Sequence, residues 1–532
     1  MKKRLSKLKL FCVISVVATM ICTSCQESEL INEDQLQRNT KLSVAEMDVL
    51  YRMRNGENNK IGMEEATEIA NEVIGFLDEG IATKGEKSRR IAEVVFLKGS
   101  NGVRVMTKSS GEEIEMPDTL AYVFNFADSA GYTIIAADTR IETSVLCYTG
   151  SGTLGSDTIE NPGLAVFLTG AELYIERSIV DAQQQRDSLL NEILAKIDET
   201  GVKDTTYVDA SDYSTKSVAP SEVILDEIVT SYSYGSWSVA SSVSPLLSVE
   251  WGQFEPFNAY IPLNCSDNTS GKAPVGCVAV ATSYILTYWF NRWNINFTID
   301  GYNINSNLIC SFTYYPNRYA GAASNYIQSW NTSTDAVNAR FQLAHLMERI
   351  GSRINMSYDC EKGSGANDKT ATSYLRSIGF RGGYRSDYNV NTMLSSLKNS
   401  RPVMIGGFST KNHILGISWL FWYSGGHSWV IDGYVRRVRP VTITVTTTTE
   451  APGALTKSVS PDRLLVTTTS TYTYDEYSPY YLHNNWGNYS NNGYFAEGCF
   501  NSNNPPTISS STKSGEPHNY QFSVDIFPDI YY

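Results

Sequence analysis

The segment around Cys277 constrains the fold more than any other part of the chain. Residues 273–276, Ala-Pro-Val-Gly, lead into Cys277, and small or apolar residues follow over 278–284. This pattern predicts a buried helix that begins at the cysteine. A thiol at a helix N-terminus lies near free backbone N–H groups and the positive end of the helix dipole, which stabilise thiolate over thiol. Cys277 is therefore a candidate nucleophile, with an ordinary buried cysteine at a core helix as the alternative.

The size and charge of the chain exclude several classes of protein. A length of 532 residues without a recognisable repeat suggests about three units. The 42% of hydrophobic residues supply ample core, which argues against a disordered or fibrous chain. A net charge of −13, without a Lys/Arg run beyond the first nine residues, disfavours nucleic-acid partners.

The N-terminus predicts export. Five basic residues precede an apolar stretch over 10–21, which is too short to span a bilayer but suits a signal peptide. Residues 22–25, Cys-Thr-Ser-Cys, resemble a bacterial lipobox, so we expect a signal peptide over 1–24 and a lipid on Cys25. The alternative is a cysteine near an ordinary cleavage site. Residues 26–29, Gln-Glu-Ser-Glu, resemble the acidic tag that follows the lipidated cysteine in some surface-displayed lipoproteins. We expect an outer-membrane or cell-surface lipoprotein, or a form released by maturation, that contacts membrane only through its anchor.

Five cysteines lie beyond residue 250, and an odd number implies at least one thiol outside a disulfide. If Cys277 is that thiol, four others could pair in three ways that the sequence does not rank: Cys265, Cys310, Cys360 and Cys499.

Hydrophobic periodicity divides the chain into two structured regions. The region of about 40–200 reads as a small α+β unit, with predicted helices over 63–78 and 164–197 and strands over 91–98, 121–126 and 132–137. The Ser-, Thr- and Tyr-rich stretch 201–248 reads as an exposed linker followed by loosely patterned chain, and a domain boundary is expected there.

Beyond residue 249 the pattern predicts further helices and strands. Helices are expected from 277, over 334–350 and over 390–399, and strands over 402–406, 428–434 and 480–486. A Thr-rich pair of strands over 441–449 and 463–474 predicts a long hairpin. Because a two-stranded ribbon alone is marginal in water, we expect it to pack against a neighbour or a partner. The hairpin either recognises large substrates or has no role in function, and the sequence favours neither.

Three other motifs could complete a catalytic site around Cys277. His427 follows two glycines and begins a strand, from which it can project towards a helix end, although a lone histidine is more often a hydrogen-bonded core residue. Its main rival is His483. Asn485-Trp486-Gly487 could orient the imidazole, with the Asn485 amide bonding it and the Trp486 indole shielding that bond. Gln253, after Trp-Gly, could join the Cys277 backbone N–H in an oxyanion hole. Taken singly, the Asn and Gln motifs are more often surface turns.

These motifs, in this order, resemble the streptopain-type cysteine peptidases of the papain-like fold over about 249–500. The matching stretches are 251–253 with 256–258, 274–279, 401–403, 426–427 with 430–434, and 484–487 with 493–495. Residues 122–126 and 131–138 also resemble the propeptide that keeps such enzymes latent.

The resemblance implies an α+β papain-like domain, with a helical half and an antiparallel sheet half, preceded by a small α+β propeptide. It implies that Cys277 is the nucleophile, His427 the general base and acid, Gln253 the oxyanion donor, and Asn485 with Trp486 the imidazole-orienting pair. It also implies protein or peptide substrates with a hydrophobic residue just upstream of the scissile bond. The expected domains are a signal peptide over 1–24, an inhibitory propeptide over 25–200, a linker and maturation region over 201–248, and a peptidase domain over 249–532 with a Thr-rich insertion at 436–479.

Neither a cofactor nor a metal is expected, because zinc motifs and phosphate-binding glycine loops are missing from the sequence. The sequence therefore predicts an exported cysteine endopeptidase made as a zymogen, whose own propeptide is its intramolecular inhibitor. One alternative is a surface-displayed binding protein that keeps the fold, and a second is a Cys-His acyltransferase or cell-wall amidase. All four catalytic positions carry competent side chains, which disfavours the first alternative.

Cys25→Ser tests the lipid anchor. We expect the variant to move from the membrane fraction to the soluble fraction, because it lacks the sulfur that would carry the acyl chain. Detergent partitioning of the two proteins measures this, and Cys12→Ser, which alters a cysteine inside the apolar stretch, is the control. Unchanged partitioning of the Cys25 variant would contradict the prediction.

Overall fold

A computed structural model gives the conformation of most of the chain. It describes residues 59–79, 88–99, 104–106, 113–141, 144–155, 159, 161–199, 226–266, 271–311, 332–409, 413–414, 417–418, 426–450, 465–487, 491–502, 509–511 and 522–532. The signal peptide, Cys25, the first part of the linker and the tip of the Thr-rich hairpin lie outside the described residues.

Seven α-helices lie within these residues. They are α1 (Met63–Asp78), α2 (Pro162–Glu199), α3 (Cys277–Arg292), α4 (Ser306–Ser311), α5 (Thr334–Arg353), α6 (Asp368–Ser377) and α7 (Val390–Lys398). None of the helices in this part of the chain is long and apolar enough to cross a bilayer.

The strands are mostly antiparallel neighbours in one sheet. In chain order they are β1 (Ile91–Lys98), β2 (Arg104–Met106), β3 (Glu113–Glu115), β4 (Thr119–Phe126), β5 (Tyr132–Ala136), β6 (Val145–Thr149), β7 (Asp226–Tyr234), β8 (Ser238–Val243), β9 (Phe297–Ile299), β10 (Tyr302–Ile304), β11 (Ser386–Asp387), β12 (Val403–Ser409), β13 (His413–Ile414), β14 (Ile417–Ser418), β15 (Gly426–Glu450), β16 (Leu465–Tyr477), β17 (Tyr481–Asn485), β18 (Gly493–Ala496), β19 (Ser509–Ser511) and β20 (Phe522–Phe527). The main path of the large sheet runs β1-β4-β5-β6-β18-β17-β15-β12-β20-β11. Helices beside an antiparallel sheet confirm the predicted α+β class.

The chain divides into two compact units. The larger unit contains residues 56–184, 236–439 and 475–532, and the smaller one contains 1–55, 185–235 and 440–474. The larger unit therefore includes both the upstream α+β segment and most of the region beyond residue 249. The predicted boundaries of propeptide, linker and peptidase domain stay predictions.

The smaller unit contains the outer part of the Thr-rich hairpin. There, residues 441–448 of β15 pair antiparallel with β7, and β16 also pairs with β15. The hydroxyl oxygens of Thr442 and Thr473 lie 3.0 Å apart. The expected neighbour of the ribbon is thus β7, a strand formed by chain that we predicted to be linker. The strands β7 and β8 were not predicted from the sequence, because hydroxyl and aromatic side chains form a strand only once a partner edge is present.

Pairing between β6 and β18 joins the upstream segment to the sheet of the larger unit. The pairs are Gly493 with Thr149, Tyr494 with Tyr148, and Phe495 with Cys147. The two backbones approach so closely at Gly493 that a Cβ there would lie 2.5 Å from the Tyr148 carbonyl oxygen. The upstream segment therefore continues the same sheet.

The two largest hydrophobic cores of the described residues lie in the larger unit. In one, α2 packs on the sheet, and the Phe167 ring lies 4.7 Å from that of Phe495. The other surrounds α3, in which twelve residues are buried. Tyr284 of α3 stacks on Trp251 at 5.2 Å and donates its hydroxyl hydrogen to the Trp251 carbonyl oxygen. The predicted buried helix starting at Cys277 is confirmed.

A disulfide joins Cys265 to Cys360, which settles one of the pairings that the sequence left open. Cys147, Cys277 and Cys499 are thiols.

Phe167→Ala tests whether α2 is integral to the larger unit. The Phe167 ring is fully buried and also lies 5.7 Å from Phe500, so its loss should cost about 3–5 kcal/mol in the free energy of unfolding. Urea denaturation of the full chain measures this. Phe96→Ala, at a side chain 49% exposed, is the matched control and should cost much less. Equal costs would contradict the packing described.

Candidate active site

A cleft of about 250 Å³ in the larger unit brings together three of the predicted site residues. Gln253, Cys277 and His427 all line it. The walls also include a loop over 362–366, the glycines of β12, and the residues Asp368, Ser428, Ser523 and Asp525. The cleft therefore lies where α3, α6 and three strands of the sheet meet.

A glycine before the cysteine places Cys277 at the first position of α3. Gly276 has a φ of 92°, which disfavours any residue with a side chain. A Cβ there would also lie 2.7 Å from the Met356 sulfur and 2.9 Å from the Ser364 carbonyl oxygen. The chain can thus turn into the helix only with glycine at this position, which is why the thiol begins the helix inside the cleft.

The surroundings of Cys277 favour the thiol over the thiolate near pH 7. Burial raises its pKa to about 11, and the nearby Asp368 carboxylate also raises it. Hydrogen bonds from the Ser428 and Val278 backbone amides lower the pKa and partly offset these effects. The helix N-terminus alone does not ionise the sulfur, so a charge partner must approach it before it can act as a thiolate.

His427 is not that partner in the described arrangement. Its Nε2 lies 2.7 Å from the Trp486 carbonyl oxygen, to which it donates when it carries the proton. The ring is 3% exposed and lies parallel to the Trp429 ring at 6.0 Å. Burial lowers the pKa of His427 to about 4, against the hydrogen bond to Trp486, which raises it. The imidazole is therefore neutral near pH 7.

Gln253 lies beside the start of α3. Its backbone carbonyl accepts a hydrogen bond from the Val275 N–H at 2.9 Å, which ties it to the residues before Cys277. Its side chain is buried, and Oε1 has no hydrogen-bond partner among the described residues. The position is compatible with the predicted oxyanion role, which stays a prediction.

The predicted orienting pair contacts the imidazole only through Trp486. Asn485 Nδ2 donates to the Val249 carbonyl oxygen at 2.9 Å, whereas Trp486 Nε1 donates to the Asn491 carbonyl oxygen at 2.9 Å. It is the Trp486 backbone oxygen, and not the Asn485 amide, that holds His427 here. The orienting role of Asn485 stays a prediction for a different position of the ring.

His483, the alternative to His427 as the base, is hydrogen-bonded to a buried carboxylate. His483 Nδ1 lies 2.6 Å from Oδ1 of the fully buried Asp432, whose Oδ2 accepts the Leu247 N–H at 2.9 Å. His483 thus helps to satisfy a buried carboxylate. His427, by contrast, lines the cleft.

Sequence reasoning missed two residues of the cleft, Asp368 and Ser428. Ser428 Oγ donates to Asp368 Oδ1 at 2.5 Å, 60 positions apart in the sequence. Ser428 could have been found because it follows His427 directly, whereas nothing in the sequence places Asp368 there. No cluster of metal-ligating side chains occurs in the part of the chain that the structure describes.

The burial of neutral His427 makes stability depend on pH. Since its pKa falls from 6.5 to about 4 on folding, the unfolded chain takes up the proton first, and stability is lost as the pH drops through this window. The loss should reach about 3 kcal/mol at pH 4. His427→Gln, which does not titrate, should remove this part of the pH dependence of the urea midpoint. An identical pH dependence in the variant would contradict the assignment.

Comparisons with known proteins place the cleft in a family. The peptidase C10 family matches residues 251–495, a range that includes the predicted site residues Gln253, Cys277, His427, Asn485 and Trp486. A mutant prointerpain A fragment from Prevotella intermedia is similar at 17% identity and a TM-score of 0.38, covering 81% of this chain and 99% of that one. Active wild-type interpain A cysteine protease from the same organism is similar at 21% identity and a TM-score of 0.30, covering 55% and 97%. No curated protein sequence matched. Residues 251–495 therefore belong to the peptidase C10 family, and the chain is a cysteine-type peptidase.

Proposed function

We propose that the chain is a secreted endopeptidase zymogen, anchored through a lipid on Cys25, in which Cys277 and His427 hydrolyse peptide bonds of protein substrates after maturation. The observation that carries the proposal is that Cys277, His427 and Gln253 line one cleft, with the thiol at the start of a buried helix. Membrane attachment rests on the sequence of residues 22–25 alone.

In the mature enzyme His427 takes the proton of Cys277, which gives a thiolate and an imidazolium. The thiolate attacks the substrate carbonyl carbon, and the Gln253 side-chain N–H with the Cys277 backbone N–H binds the resulting oxyanion. His427 then protonates the leaving amine, and a thioester remains on Cys277. Finally His427 deprotonates a water molecule, which hydrolyses the thioester and releases the second product.

The described arrangement supports a latent precursor. An ion pair of thiolate and imidazolium requires the two groups to approach each other, but His427 bonds the Trp486 carbonyl oxygen, and burial disfavours both charged forms. Catalysis therefore requires that His427 leave Trp486 and turn towards Cys277.

The upstream segment supplies a reason why His427 does not move. At Gly163, near the start of α2, an added Cβ would lie 2.8 Å from His427 Cδ2 and 2.3 Å from Trp486 Cε3. The Asn161 Oδ1 accepts the Gly163 N–H at 3.0 Å and the Leu164 N–H at 3.2 Å, which fixes this turn. The start of α2 thus packs directly on the histidine and its partner. Removal of the upstream segment would open that side of the ring, so this segment fits the role of intramolecular inhibitor.

Cys277→Ala tests the nucleophile and the latency together. We expect a stable, unprocessed chain that wild-type enzyme added in trans can cleave, because no acyl-enzyme can form without the sulfur. An epoxide directed at active-site thiols should label the wild type slowly before maturation and much faster afterwards, and should not label the variant at either stage. The slow phase follows from the raised pKa of the Cys277 thiol.

The two histidines provide a matched comparison for this test. His427→Ala should abolish maturation, whereas His483→Gln, which keeps a hydrogen-bonding group for Asp432, should allow it. Maturation by the Cys277 or the His427 variant alone at the normal rate would refute the mechanism. Labelling without hydrolysis of any protein would point to an acyltransferase, and the absence of both would point to a binding protein.

A further inference from the structure

A partly buried carboxylate lies in the wall of the cleft beside the nucleophile. Asp368 is the first residue of α6, and its Oδ1 accepts the Ser428 hydroxyl at 2.5 Å. Ser428 also lies beside Cys277 in the cleft wall, where its backbone amide lowers the pKa of the thiol. The carboxylate is therefore separated from the reacting atom by one residue, and any substrate that reaches the sulfur passes close to it.

The other side of the carboxylate packs against the sheet. A Cβ built on Gly406 of β12 would lie 2.4 Å from Asp368 Oδ2, so the carboxylate occupies the space that a side chain would fill. Oδ2 accepts no hydrogen bond from any residue that the structure describes. Asp368 itself lines the cleft, so a group bound in the cleft can reach this second oxygen.

The neighbouring charges leave Asp368 without a counter-ion. Asp525, the other carboxylate of the cleft, is held by Arg385 through hydrogen bonds of 2.6 and 2.7 Å. Lys362 also lines the cleft, but its position is exposed and it forms no ion pair with Asp368. Asp368 is thus the one acidic group of the cleft whose charge no protein cation neutralises, among the residues that the structure describes.

The environment of Asp368 favours the approach of a cation. Burial raises the pKa of its carboxyl to about 6, the hydrogen bond from Ser428 lowers it, and repulsion from Asp525 raises it further. A desolvated carboxylate without a counter-ion is costly, and a cation placed beside it offsets that cost. Near pH 7 the carboxylate form predominates, so the cleft presents a negative charge to the substrate.

We propose that Asp368 is a specificity-determining residue, whose carboxylate receives a lysine or arginine side chain of the substrate next to the scissile bond. The inference rests on the proposed peptidase function and deepens it by naming a substrate class. It differs from the hydrophobic preference that the resemblance to streptopain-type enzymes implies, because a partly buried carboxylate lies in the wall of this cleft.

A purely structural role for Asp368 predicts a different result. If the carboxylate only held Ser428 in place, its removal would change the hydrolysis of every peptide by the same factor. If it binds a substrate cation, its removal changes the ratio between cationic and neutral substrates. The ratio also cancels any change in the reactivity of Cys277, whose pKa the Asp368 charge raises.

The experiment uses enzyme matured from the full chain and peptides that carry lysine, norleucine or glutamate at each position flanking the cleaved bond. Norleucine keeps the aliphatic stem of lysine without the charge. At one position kcat/KM for lysine should exceed that for norleucine by about tenfold, as expected for a charge pair worth roughly 1–2 kcal/mol. In Asp368→Asn the ratio should fall to within about twofold. The asparagine side-chain oxygen can still accept the hydrogen bond from the Ser428 hydroxyl, so the cleft wall should keep its structure.

Asp387→Asn is the matched control. Its carboxylate is 75% exposed and lies 3.9 Å from Arg385, so the substitution removes the same charge nearby without touching the cleft wall. The lysine preference of this variant should equal that of the wild type. A decrease of equal size in both variants would show a diffuse charge effect and would overturn the proposal.

The pH dependence gives a second readout. The lysine preference should grow between about pH 5 and pH 7 as the Asp368 carboxyl ionises, and should be flat in Asp368→Asn. Titration of Cys277 and His427 affects both peptides alike. The other charged residues of the cleft are Asp525, which is paired with Arg385, and the exposed Lys362, and both are present in the wild type and in Asp368→Asn.

The outcomes separate the two proposals. Hydrolysis without a lysine preference in the wild type, or a preference that survives in Asp368→Asn, overturns the role of Asp368 and leaves the peptidase function standing. Failure to hydrolyse any peptide or protein overturns both.

Discussion

The hydrogen-bonded pairing of β6 with β18 is the constraint on which the described state of the cleft depends. It makes the upstream segment part of the same sheet that carries β15 and β17. Helix α2 follows β6 in the chain, so its first turn comes to lie on Trp486 and His427. The close backbone approach at Gly493 permits this pairing. The position of one imidazole ring thus depends on a strand pairing outside the cleft as well as on its hydrogen bond to the Trp486 carbonyl oxygen.

Burial shifts the pKa values of Cys277 and His427 in opposite directions, and both shifts favour the neutral form. It raises the pKa of the Cys277 thiol and lowers that of the His427 imidazole, so each group is neutral. While the thiol and the imidazole are apart, no Coulomb attraction between them stabilises their charged forms. Once they are adjacent, the charged pair is stabilised by its own Coulomb energy in the same low-dielectric surroundings. In the proposed mechanism, latency and activity therefore use one set of side chains and differ in the position of His427.

The sequence predicted the elements of this fold better than their long-range associations. The helix over 63–78, the helix starting at Cys277 and the hairpin of β4 and β5 were found because hydrophobic periodicity and glycine positions are local signals. The strands over 226–243 were missed because polar, hydroxyl-rich chain becomes a strand only where a partner edge exists. The motifs around Cys277, His427 and Gln253 located the cleft, but no local pattern could show that Asp368 meets Ser428 across 60 residues or that Trp486 holds the histidine by its carbonyl oxygen.

The disulfide between Cys265 and Cys360 and the thiol of Cys277 require opposite redox states within one chain. Cys360 adjoins the loop over 362–366 that forms one wall of the cleft, so the disulfide, which persists in oxidising surroundings, restrains this wall. The Cys277 sulfur, 12 residues beyond Cys265 in the sequence, can act as the proposed nucleophile only while it is reduced. Oxidants and disulfides react with thiolates, and a thiol with a pKa of about 11 is nearly free of thiolate at neutral pH. The raised pKa of Cys277 therefore makes its sulfur both a poor nucleophile and slow to oxidise while the structural disulfide forms.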